Sequence, residues 1–105
     1  MTTYYYTLAS TKFFLEEEPV EEILRERLHF YDENNLNVDF CFIKKIDTLE
    51  VPELISLQEK FRNELSAIIS TNPHFIDWLK LRLQYVLTGE FTSETFSLNN
   101  NFIKI

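Results

Sequence analysis

Near the N-terminus the segment TYYYTLAS places Tyr4, Tyr6 and Leu8 on one side of an extended chain and Tyr5, Thr7 and Ala9 on the other. Successive strand side chains point to opposite faces, so this β-rich run predicts a strand covered on both sides. In EEEPVEEILRERLHFY the period changes. Val20, Ile23, Leu24, Leu28 and Tyr31 recur at helical spacing, with Pro19 and acidic residues where a helix start favours them. The polar DENNLN ends that helix, and VDFCFIKK follows as a short apolar run suited to a buried strand. From Pro52 to about Asn63 the spacing of Leu54, Leu57 and Phe61 predicts a second, weaker helix, and SAIIS reads as a third strand. Thr71 or Asn72 then caps a further helix with Pro73 in its first position, and Gly89 follows its last turn as a C-terminal cap. Residues 92–105 read either as an edge strand or as a frayed tail.

The helix expected in TNPHFIDWLKLRLQYVLTGEF has one apolar face too many. At about 100° per residue, Phe75, Ile76, Leu79, Leu83, Val86 and Leu87 form a broad face for packing on a sheet. Trp78, Leu81 and Tyr85 form a second ridge on roughly the opposite side, with Arg82 at its border. Either a neighbouring helix or the C-terminal tail covers this ridge, or it is a partner surface. Trp, Tyr and Arg are the residue types enriched in interface hot spots.

Composition narrows the class. The 105 residues make one domain, 1–105, able to bury roughly 60 to 68% of its unfolded surface. A hydrophobic fraction of 45%, with ten Phe and five Tyr but one Gly and three Pro, belongs to a globular chain. The elements along it predict an α/β (α+β) sandwich: a sheet of three or four short strands, largely antiparallel, flanked by about three helices. A formal net charge of -7 with scattered Lys and Arg argues against nucleic acid as a partner. The single Cys41 allows no internal disulfide, and MTTYYY lacks the features of a secretory signal, so a reducing compartment is expected. No stretch approaches the roughly 18 to 20 apolar residues of a membrane span. A soluble protein is expected, meeting membranes only through a partner or a surface contact.

Candidate chemistry is sparse. His29, His74 and Cys41 fall in different elements, without the ligand pairs a metal site needs. Glu26 and His29 have the spacing used in di-iron carboxylate bundles, but such sites take two of these motifs and two further Glu. Cys41, between Phe40 and Phe42, is expected to be buried and inert. One glycine cannot form a phosphate-cradling loop, and Glu16, Glu17 and Glu18 stand where a helix dipole favours acids. No catalytic residue, metal ligand or cofactor is therefore assigned. An enzyme would need a pocket of perturbed titratable groups, which spacing does not reveal.

The segments TTYYYTLAS, KFFLEEEPVEEILRER, VDF at 38 to 40 and AIISTNPHFIDWLKLRLQYVLTGEF make up most of the chain. In these the sequence resembles the small accessory protein of the oxidative (aerobic) magnesium-protoporphyrin IX monomethyl ester cyclase, a family of cyanobacteria, algal plastids and plants. Residues 44–65 and the tail after Phe91 match poorly. The resemblance implies a sheet flanked by helices and a non-catalytic assembly factor of chlorophyll biosynthesis, supporting protochlorophyllide formation. It implies the di-iron, membrane-associated catalytic subunit as partner, with other chlorophyll-biosynthesis enzymes as further candidates. It implies location in the cyanobacterial cytoplasm or plastid stroma, partly at membranes through that partner. By the same resemblance Asp39 and Phe40 match an exposed pair, and Arg82 an arginine, implicated in holding the catalytic subunit; Trp78 and Tyr85 join them from the ridge. Read from the residues alone, Asp39 is a strand-end charge and Phe40 a core residue. A small-molecule domain that binds or presents a porphyrin beside the cyclase is the alternative function.

Overall fold

The molecule is built around β1 (Thr2–Ser10). In the computed structural model, which describes residues 2–98, its alternation sends Tyr4, Tyr6 and Leu8 into one core and packs Tyr5 and Ala9 against another. β1 pairs on one side with β3 (Leu65–Ser70), Leu8 opposite Ala67, and on the other with β4 (Leu87–Ser93), Leu8 opposite Leu87. β2 (Phe40–Ile43) lies outside β3, so the order is β2-β3-β1-β4, antiparallel throughout. The fold is a four-stranded α+β domain, as the sequence leads one to expect.

Both faces of the sheet are covered over β1, β2 and β3, which explains why none of these three has a clean polar side, whereas edge strand β4 exposes Thr88, Glu90 and Thr92. α1 (Val20–Glu33) and α3 (Pro73–Leu83) cover one face with Val20, Leu24, Tyr31, Phe75, Leu79 and Leu83. The other face carries a 3₁₀ turn, Ile46–Thr48, and the short α2 (Pro52–Glu59), which contribute Ile46, Leu49, Val51 and Leu54. Topology dictates the position of α3. β3 and β4 both oppose β1 and therefore run parallel to each other, so their connection has to cross β1; α3 accordingly packs on β1 and β3.

Several local expectations need correction. Glu16 and Glu17 lie in a single π-helical turn, Phe13–Glu17, closed by Glu18 N–H donating to the Phe13 carbonyl at 2.8 Å, ahead of α1. α2 stops at Glu59, leaving Phe61 outside it and exposed. α3 is capped as expected, Asn72 Oδ1 accepting from His74 N–H at 3.0 Å, but it ends at Leu83, so Val86 and Leu87 are not on its core face. Seven residues from Leu87 onward pair with β1, and that ladder displaces the helical turn that periodicity alone would add. The helix is broken at Gln84, φ 66 and ψ -54, where Tyr85 N–H donates to the Leu83 carbonyl at 2.8 Å. This is a γ-turn of the rarer, strained hand.

Gly89 is consequently a strand residue opposite Tyr6 rather than a helix cap. A β-carbon there would lie 2.6 Å from Tyr6 Cζ, so the missing side chain makes room for a ring. The edge strand considered for the tail begins earlier than expected and ends at Ser93. Beyond it Phe96 and Leu98 still pack on the core that holds Tyr4, Tyr6 and Leu8, where Tyr4 Oη donates to the Phe96 carbonyl at 2.9 Å. Residues 99–105, the rest of that expected tail, lie outside the described residues.

Candidate partner-binding face

Neither a helix nor the chain through Leu98 covers the second ridge of α3. Trp78 is 45% exposed, Leu81 78% and Tyr85 81%. Trp78, Leu81 and Arg82 are neighbours on the helix surface by their spacing of three and four, while Tyr85 stands beyond the γ-turn and off the helix. Arg82 is half exposed, and its nearest carboxylate, Glu18, is 4.0 Å away. A pair that long and that open to water contributes little, so Arg82 remains free to engage another group.

The ridge continues onto α1 through an aromatic network that sequence spacing did not single out. Trp78 stacks on Phe75 with ring centroids 6.2 Å apart, and Phe75 meets Phe40 at 5.1 Å. The Arg27 guanidinium lies over Phe75 at 4.6 Å and over Tyr31 at 5.1 Å. Its Nη2 donates to Tyr31 Oη at 3.3 Å, and Tyr31 Oη donates to Asp39 Oδ1 at 2.7 Å. Phe30, next along α1 and 49% exposed, extends the surface. Alternating helical residues on two separate elements gave no warning of this cluster; only the antiparallel sheet brings α1, β2 and α3 together.

Of the predicted site residues, Trp78, Arg82 and Tyr85 are open to solvent. Asp39 is half-buried, its carboxylate taken by Tyr31 and its carbonyl accepting from Ser70 Oγ at 2.7 Å. Phe40 corrects the expectation of an exposed pair: it is 2% exposed and packs between Tyr31 and Phe75, which makes it core.

Titration is perturbed at three described residues. Burial pushes the Cys41 thiol up to about 12, which keeps it protonated. Burial also raises Tyr31, helped by its hydrogen bond to Asp39 and opposed by Arg27; Tyr6 is raised by burial and by the charge of Glu53. All three shifts stabilise the neutral form, so none prepares a group for acid–base work near neutrality. Among the described residues no three His, Cys, Asp or Glu side chains are placed to hold a metal, and no helix is long and apolar enough to cross a membrane. His29 Nε2 instead meets Glu33 on the outside of α1, 2.9 Å away. A separate cleft of about 430 Å³ opens at the end of the sheet, lined by Ala9, Phe13, Phe61, Arg62, Tyr85 and Leu87 among others.

Fold and site together define a small α+β domain whose most developed surface is an aromatic and arginine face across two helices. The chain belongs to the Ycf54 protein family, whose model matches residues 2–93. It is 54% identical over 91 residues to a Ycf54-like protein of Synechocystis sp. PCC 6803, covering 87% of this chain and 68% of that one. A chloroplastic YCF54 protein of Arabidopsis thaliana is 35% identical over 91 residues, 86% of this chain and 42% of that one. Among solved structures, the All0216 protein from Nostoc sp. PCC 7120 superposes with a TM-score of 0.81 at 45% identity, covering 99% of this chain and 96% of that one. The relatives place the family in cyanobacteria and in a chloroplast.

Proposed function

We propose that the protein is a non-catalytic accessory and assembly factor of the oxidative magnesium-protoporphyrin IX monomethyl ester cyclase. It binds and stabilises the di-iron catalytic subunit and so supports protochlorophyllide formation. The observation that carries this reading is the uncovered face of Trp78, Leu81 and Arg82 on α3, in a chain with the sequence resemblance described above. A folded monomer gains nothing from exposing a tryptophan and a leucine side by side, whereas a partner that covers them gains their burial. Asp39 and Phe40 contribute from beneath, by fixing Tyr31 and Phe75. The protein works in a cyanobacterial cytoplasm or plastid stroma and reaches membranes through its partner.

Arg82→Ala is expected to weaken capture of the catalytic subunit by about thirtyfold, on the order of 2 kcal/mol. Folding stability should stay within about 0.5 kcal/mol, as for a surface change. Arg82→Lys should restore part of the binding, because an ammonium group lacks the planar fork. Pull-down beside thermal melting decides it: full capture by a folded Arg82→Ala protein, or a loss matched by unfolding, refutes the assignment.

A second reading rests on the cleft at the sheet end, whose volume of about 430 Å³ lies in the range of small-molecule sites. Absorbance titration with the magnesium porphyrin tests it, and a saturable spectral change at one molecule per chain would favour a presenting role.

A further inference from the structure

Arg27 is a cation that aromatic rings, rather than a carboxylate, hold in place. With 17 Asp and Glu against 10 Lys and Arg, acids are in excess, and His29, Lys45 and Arg82 each have one within 4.0 Å. Arg27 has none among the described residues, which is equally true of Arg25, Arg62 and several lysines; what sets Arg27 apart is its seat among rings with Nε buried. Its guanidinium is held by rings, Phe75 at 4.6 Å and Tyr31 at 5.1 Å, with Phe30 more distant at 6.0 Å. Its single hydrogen bond among the described residues goes to the neutral Tyr31 hydroxyl, itself committed to Asp39. Nε is shut off from water without an acceptor, whereas Nη1 is neither bonded nor shut off. The charge is thus pre-positioned, with its flexible stem already ordered, and only partly compensated. Exposed Phe30 stands beside it, and Trp78 lies one ring beyond Phe75.

We propose that Arg27 is the charged anchor of this face and that its occupant is a protein segment carrying a carboxylate side chain next to a large apolar one. The carboxylate pairs with the Nη1 edge of Arg27, and the apolar group seats against Phe30 and Trp78. Charge complementarity argues for that chemistry, because Arg27 and Arg82 border an apolar ridge on a molecule that is otherwise negative. A guanidinium whose planar faces are stacked presents only its edge, the geometry that suits a carboxylate. Such a pair is desolvated when the ridge is covered, the condition under which an interface arginine acts as a hot spot.

The inference rests on the proposed cyclase partnership, and the experiment separates the two. Capture of the purified catalytic subunit is measured for the unaltered protein and for Arg27→Gln, Arg27→Lys and Arg27→Glu, each first shown to be folded by thermal melting. Arg27→Gln should weaken capture by about tenfold or more, Arg27→Lys less, and Arg27→Glu most. In a panel of single Asp or Glu to Lys changes in the catalytic subunit, one should restore capture by Arg27→Glu, which a merely structural role for Arg27 would not produce. Equal capture by the unaltered protein and a folded Arg27→Gln, or no rescue anywhere in the panel, overturns the anchor while leaving the partnership standing. Failure of the unaltered protein to capture the subunit overturns the partnership, and the anchor with it.

Discussion

Cys41 illustrates how much a single residue's surroundings decide. Its thiol is 1% exposed, on a strand covered on both faces, and ionises at about 12 instead of 9.0. The unfolded chain therefore loses this proton first, so the thiol's contribution to stability is complete below pH 9 and disappears as pH rises towards 12. At 1.36 kcal/mol per unit the full loss is about 4 kcal/mol. The raised Tyr6 and Tyr31 act in the same direction above 10.0. Urea unfolding at about pH 8 and about pH 11 should show stability falling steeply, and Cys41→Ala should flatten that fall even though the cavity it leaves lowers stability at both values. An equal drop in both proteins would mean that the thiol reaches water. Burial of Cys41 was legible from its Phe neighbours, whereas the Tyr31 to Asp39 hydrogen bond was not, since eight residues and a loop separate the partners.

At the scale of elements, the boundary between α3 and β4 is where helical periodicity misled. Phe75, Ile76, Leu79 and Leu83 are buried as their spacing predicts, but the same spacing continues into Val86 and Leu87, which belong to a turn and a strand. A short apolar run fits either period, and the choice falls to the partner strand. Gly89 gives the sharpest test. Gly89→Ala, neutral or favourable for a glycine whose only task is entropy, is here expected to cost about 1 to 3 kcal/mol by forcing its methyl into the Tyr6 ring. Because Tyr6 is itself buried in the core, the ring has little room to retreat. Tyr6→Val should relieve most of the added cost in a double-mutant cycle, measured by chemical unfolding. Additive effects would show that ring and glycine do not compete for space.

For the whole molecule, two covered faces and a helix with a third apolar surface leave a site where burial is still to be gained. On the proposed reading that burial comes from the cyclase subunit, and the consequences extend to the cell. Loss of the gene should make magnesium-protoporphyrin monomethyl ester accumulate while protochlorophyllide falls, as measured by pigment chromatography; unchanged intermediates would reject the pathway. The membrane-bound fraction of the protein should vanish when the catalytic subunit is absent, because no described helix can span a bilayer. Persistent membrane binding without that subunit would place the attachment in this chain.

The sequence by itself determined where most elements lie and which of their sides are apolar. Two-faced alternation in β1, the helical period from Val20 to Tyr31 and the Asn72-Pro73 start of α3 are local signals, set by backbone geometry and side-chain period. It also marked Trp78, Leu81 and Arg82 as more than core, since their spacing puts them opposite the packing face. Tertiary structure decided whatever depends on non-local pairing. The antiparallel order β2-β3-β1-β4 carried α3 across β1, ended it at Leu83 and turned Gly89 from a cap into a gap for Tyr6. It also sank Phe40 into the core and brought Arg27 of α1 over Phe75 of α3. Residues far apart along the chain leave no shared period by which their meeting can be read, and only the packing of the sheet and its helices supplies it.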